Sequence, residues 1–147
     1  MIRIDFYVLP SDSPNARQVL ACQLTEKAYR LGHSICIYTE SATQNRVMDD
    51  LLWTFRAGSF IPHNRAVDNA PDSNIPVILS HDVEPSNFND ILINLNPEVP
   101  KGFNRFTRLI ELVNQNKEIR NAGRKRYRYY QKQGLEIETH KIDPTRV

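Results

Sequence analysis

Residues 3–39 read RIDFYVLPSDSPNARQVLACQLTEKAYRLGHSICIYT, and this stretch decides the fold class. Ile4, Phe6 and Val8 alternate with Arg3, Asp5 and Tyr7, the period of a strand over residues 3–9. Ser13-Pro14 then supplies a capping hydroxyl and a proline at the first helical turn, where its missing N–H costs nothing. Val19, Leu20, Cys22, Leu24, Ala28 and Leu31 continue an amphipathic helix that Gly32 can stop. Residues 34–39 (SICIYT) read as a short apolar strand, and residues 41–52 as a second helix through Val47, Met48, Leu51 and Leu52. This β-α-β-α order predicts an α/β fold with a mainly parallel sheet flanked by helices.

Working outward, residues 64–74 are polar and turn-prone, the signature of a loop. Residues 77–80 (VILS) and 91–95 (ILINL) are short apolar runs bounded by Pro, Asn and Asp, as buried central strands are. Phe103, Phe106, Leu109, Ile110 and Val113 recur at helical spacing and predict a helix there. A further helix over residues 117–132 ends near Gly134, and LEIETHKI reads as the last strand. At 147 residues and 40% hydrophobic content, residues 1–147 are expected to form a single domain. No apolar run approaches the 18 or more residues of a membrane span, and MIRIDFYVLP turns polar too soon for a signal peptide. Cys22 and Cys36 fit no zinc or redox spacing, which predicts buried structural thiols in a reducing compartment, by default the cytoplasm.

The residues argue against several chemistries. The first strand–helix connection, Leu9 through Pro14, contains no glycine, and the five glycines of the chain never form a phosphate-cradling loop. An architecture like that of nucleotide-binding folds is therefore expected without its nucleotide site and with no cofactor. His33, His63, His81 and His140 form no metal-ligand pair. His81-Asp82 is the only His-Asp doublet, compatible with a metal-dependent phosphohydrolase or with an ordinary loop start. No catalytic constellation emerges, so catalytic and metal residues are read as none.

Charge is concentrated in one place. KEIRNAGRKRYRYYQK, residues 117–132, holds seven cations (Lys117, Arg120, Arg124, Lys125, Arg126, Arg128, Lys132) against Glu118 alone, in a chain of net charge +2. The rest of the chain is thus net acidic. Lys117, Arg120, Arg124 and Arg128 fall on one helical stripe with Tyr127 beside them. Like charges at this spacing cost roughly 0.2–0.5 kcal/mol per pair, which is understandable if something anionic docks there. Two occupants suit the stripe: an acidic protein segment, or nucleic-acid phosphates bound directly. A second signal is residues 51–64, LLWTFRAGSFIPHN, with the only tryptophan. Trp53 and Phe60 read either as core or as an exposed aromatic patch of the kind that anchors interfaces.

The opening strand FYVL, the LWTF…SFIPHN block, the DILINL strand and the closing RKRYRYYQKQGLEI, with its R-Y-x-x-Y-x-x-x-G pattern, occur in this order along essentially the whole chain. In this the sequence resembles the chi subunit of the bacterial DNA polymerase III holoenzyme. The resemblance implies a Rossmann-like fold with no activity of its own, within a DNA-directed DNA polymerase assembly. It also implies a heterodimer with the psi subunit of the clamp loader, and binding of the acidic, Phe-terminated tail of single-stranded-DNA-binding protein. By motif position Arg124, Tyr127 and Arg128 fall on the tail-binding helix, with Arg120 one turn earlier and Val113 on the apolar side. Trp53 and Phe60 match the psi-facing aromatics. Lys125 departs from the family, where relatives can carry an acidic residue, and residues 143–147 are assigned no role.

Overall fold

The computed structural model describes residues 2–65, 75–81 and 88–142. Asp82, most of the expected 64–74 loop and residues 143–147 lie outside the described residues. Strands β1 (Arg3–Val8), β2 (Ile35–Tyr38), β3 (His63–Arg65), β4 (Val77–Ser80), β5 (Ile91–Asn94), β6 (Arg108–Val113) and β7 (Glu136–Lys141) form one sheet in the order β3-β4-β2-β5-β6-β1-β7. Every pairing is parallel. Helices α1 (Pro14–Arg30) and α2 (Ala42–Thr54) cover one face and α3 (Lys117–Lys132) the other. The Rossmann-like α/β reading is therefore the observed fold.

The local signals act as their chemistry dictates. The Ser13 hydroxyl accepts from the Ala16 amide with Pro14 opening α1, and Ser41 accepts from the Gln44 amide to start α2. Because a parallel sheet is buried on both faces, alternate residues feed two cores. Ile35, Ile37, Val77, Leu79, Ile91, Ile93, Ile110 and Leu112 pack with Cys22, Met48 and Leu52 under α1 and α2. Ile4, Phe6, Cys36, Ile78, Leu92, Leu109 and Val113 pack with Tyr130 under α3. Burial pushes both thiols, Cys22 and Cys36, up to about 12, which makes them poor nucleophiles.

Two segments differ from the sequence reading. The helix expected from Phe103 to Val113 is instead a single 3-10 turn, Phe103–Arg105, followed by β6. A strand buried on both faces is apolar at every position, and its side chains then imitate helical spacing whenever one polar residue interrupts the run. Glu111 is that residue. His63–Arg65, at the start of the segment read as a loop, is a strand of three residues, too short for any period to register.

Glu111 is fully buried in β6. Its carboxylate accepts from Arg126 Nε (3.0 Å), Tyr130 Oη (2.6 Å) and Asn94 Nδ2 (3.1 and 3.2 Å). Burial pushes the Glu111 carboxyl up, opposed by the Arg126 charge and by the three donors, and it raises the Tyr130 phenol as well. Arg126, counted among the surface cations from sequence, is thus an internal ion-pair partner.

A second network surrounds the buried Asp5, which accepts from Arg108 Nε (2.7 Å) and Arg3 Nη2 (3.2 Å) and faces His140 Nε2 (2.8 Å). Burial alone would raise Asp5, but the hydrogen bonds of His140 and Arg108 and the charges of Arg108 and Arg3 outweigh it and hold the carboxyl below its ordinary value of 3.8.

Two outcomes are expected in urea unfolding. Arg126→Ala leaves the buried Glu111 carboxyl without its ionic partner and should cost about 3–5 kcal/mol, whereas Arg124→Ala, an exposed position two residues away on another side of the helix, should stay within about 0.5 kcal/mol of the parent. A lowered carboxyl stabilises the fold above pH 3.8 and loses that contribution as pH falls through its native value. Asp5→Asn should therefore be less stable than the parent at pH 7, with the gap narrowing below pH 3.8 in a series of unfolding curves.

Candidate functional site

α3 follows β6 after a short link, and its start is fixed by Asn116, whose side-chain oxygen accepts from the Glu118 and Ile119 amides (3.1 and 3.2 Å). Its rotation is fixed by Arg126 and Tyr130, one turn apart and both committed to Glu111. At 100° per residue this directs Arg120, Arg124 and Tyr127 toward the β7 side of the helix. Arg128, two residues from both anchors, lies roughly 160° round the axis from each and faces solvent.

A groove of about 460 Å³ opens there, between α3 and the carboxyl ends of β6, β1 and β7. Its apolar surface is Phe6, Val8 and Val113, closed by Tyr127, whose ring meets Phe6 edge-on at 5.3 Å. Arg120, Arg124 and Lys141 supply cations, and Asn114, Gln115 and Thr139 the polar remainder. Among the described residues no carboxylate lines it. Among the described residues Arg120, Arg124 and Lys141 form no ion pair, so their charges are available to a ligand.

Of the five residues assigned from sequence to tail binding, Val113, Arg120, Arg124 and Tyr127 line this groove and Arg128 stands outside it. Sequence reasoning missed Phe6, Val8, Thr139 and Lys141. Their strands were read correctly, but the pairing of β7 with β1, Val8 opposite Lys141, has no local signal. Lys125, the departure from the family pattern, lies across α3 in a groove shared with Glu98, Glu118 and Tyr129.

Trp53 and Phe60 are 46% and 68% exposed, with ring centroids 5.4 Å apart, so the exposed-patch alternative holds for these two. Their neighbours Leu52 and Ile61 are fully buried and anchor the patch to the core. Trp53 also lies 4.4 Å from His63 on β3, which places the patch at the sheet edge opposite β7.

Other candidate chemistry is occupied by structure. Arg17, from the first turn of α1, donates to the carbonyls of Leu112 (2.9 Å) and Leu95 (3.2 Å) at the carboxyl ends of β6 and β5. Burial and the Arg126 charge bring this guanidinium down to about 10, against the pull of Glu111 and Glu40. Among the described residues, Asp5, Glu138 and His140 are the one cluster with metal-ligand geometry, but Arg3 and Arg108 already hold the Asp5 oxygens and would repel a cation. No helix among the described residues is long and apolar enough to cross a membrane.

Comparison with solved structures gives T4 UvsW, with a TM-score of 0.64 over 96% of this chain and 41% of that one at 8% identity, a likeness of fold alone. The DNA polymerase III subunit chi of Pseudomonas aeruginosa is 40% identical over 142 residues, 97% of this chain and 98% of that protein. Those of Haemophilus influenzae and Escherichia coli K12 are each 29% identical over 139 residues, covering 93% and 91% of this chain and 95% and 94% of their own lengths. The family model of the DNA polymerase III chi subunit, HolC, matches residues 1–138. The chain belongs to the DNA polymerase III chi subunit family.

Proposed function

We propose that the chain is a non-catalytic accessory subunit of DNA polymerase III, an adaptor that ties single-stranded-DNA-binding protein to the clamp loader in the cytoplasm. The observation that carries this reading is the α3 groove: an apolar floor and, among the described residues, three cations without an ion pair and no carboxylate. An acidic peptide ending in Phe needs those features, because its ring must leave water while its terminal carboxylate and aspartates keep cationic partners. Arginine grips a carboxylate in bidentate fashion. The psi subunit is assigned to the Trp53–Phe60 patch. Six strand spacings separate the sheet edges, roughly 29 Å, so both partners fit at once.

Direct binding of nucleic acid by the 117–132 helix is the competing reading. A phosphate-tracking helix keeps its cations on one continuous face. Here Arg120 and Arg124 line one groove, Lys125 another, and Arg126 is internal.

In fluorescence anisotropy with an acidic, Phe-terminated peptide, Arg124→Ala and Arg120→Ala should each weaken binding about ten- to a hundredfold, the worth of a charge-assisted contact. Arg128→Ala should do less, and its effect should fade as salt shortens the Debye length below about 8 Å. Tyr127→Ala should be the least salt-sensitive, since it removes apolar contact. Arginine variants that keep full tail affinity but lose bare single-stranded DNA would replace the adaptor with the nucleic-acid reading.

For the other surface, Trp53→Ala and Phe60→Ala should each cost about 2 kcal/mol or more of psi affinity while sparing the tail, measured by co-elution at dilute concentration. Retention of psi by both variants would remove the patch from the interface.

A further inference from the structure

Four of the five glycines have positive φ and serve turns; Gly123 does not. It sits inside α3 with ordinary helical backbone, where glycine is the poorest helix former after proline. Its conformational freedom is unused, so its lack of a side chain is what the site exploits. A Cβ built on Gly123 would lie 2.5 Å from Val113 Cγ1, well inside van der Waals contact. Val113 is buried at the end of β6, and a β-branched side chain there has little rotamer freedom. α3 therefore rests on β6 at a separation that only glycine permits, and both residues line the groove.

We infer that Gly123, through its contact with Val113, is the specificity-determining residue of the groove: it sets the distance between α3 and the sheet at which a terminal aromatic ring is gripped. The inference rests on the tail-binding reading above and deepens it. An added methyl either lifts α3, carrying Arg124 and Tyr127 away from Phe6 and Val8, or turns Val113 into the groove. In both cases the ring loses contact, whereas a peptide ending in a small residue has little contact to lose.

The test is a double-mutant cycle read with two peptides, one acidic and Phe-terminated, the other ending in Ala. Gly123→Ala should bind the Phe peptide about tenfold more weakly, the scale of one misplaced methyl in an apolar site, and bind the Ala peptide nearly unchanged. In a Val113→Ala background the clashing Cγ1 is gone, and the same Gly123→Ala change should cost no more than about twofold. Urea midpoints establish that each variant is folded. Should Gly123→Ala alone not fold, Val113→Ile, which adds bulk against Gly123 from the strand side, should compress the Phe-to-Ala preference in the same way. Equal losses for both peptides, or an equal cost in both backgrounds, would overturn the inference while leaving the adaptor reading intact. A parent protein that binds neither peptide would overturn the adaptor reading itself.

Discussion

Glu111 is a carboxyl group buried inside a parallel sheet, and the arrangement of α3 depends on how that group is met. One arginine, one tyrosine and one asparagine converge on it, drawn from α3 and from β5. Arg126 also donates through Nη1 to the Pro97 carbonyl (2.9 Å), so the same side chain ties the loop after β5 to the helix. Such a cluster need not be more stable than an apolar replacement, because desolvation offsets most of the attraction. Its effect is directional. An apolar face tolerates rotation of a helix by tens of degrees, whereas hydrogen bonds to a fixed carboxylate do not.

That directionality turns a run of basic residues into a site. The seven cations of residues 117–132 are similar in sequence, yet the ion pair to Glu111 sorts them. Arg126 goes inward, Arg120 and Arg124 go to one groove, Lys125 to another, and Arg128 to solvent. Phe6 and Val8 reach the groove only because β1 lies between β6 and β7. The close seat of Gly123 on Val113 then fixes how near the charged rim stands to the apolar floor.

The carboxyl ends of the strands, where open α/β sheets commonly bind ligands, are used unusually here. At β5 and β6 the space is taken by Arg17, which satisfies strand carbonyls. The opening moves sideways to β1, β7 and α3. At the far edge, Trp53 and Phe60 stand proud of a rigid footing made by Leu52 and Ile61. Aromatic groups held out in this way suit an interface, since little side-chain entropy remains to be lost on binding. The groove and the aromatic patch thus stand on opposite sides of one sheet.

By itself the sequence determined the order of β1, α1, β2 and α2, because period-2 and period-3.6 patterns, a Ser-Pro cap and a stopping glycine are local signals that tertiary contacts did not override. It determined α3, the buried state of Cys22 and Cys36, and four of the residues that line the groove. Only the tertiary structure decided the rest. β6 was hidden because a strand buried on both faces loses its period, and because the meaning of Glu111 lies in Arg126 and Tyr130, both distant in sequence. β3 was hidden because three residues carry no period. Arg126 looked like a surface cation and Lys141 like an ordinary strand end, since charge in a sequence has no direction until a helix is rotated and a strand is registered. The aromatic pair Trp53 and Phe60 stayed undecided between core and surface for the same reason: burial belongs to the packed chain, and neighbours such as Leu52 and Ile61 share its local chemistry but turn the other way.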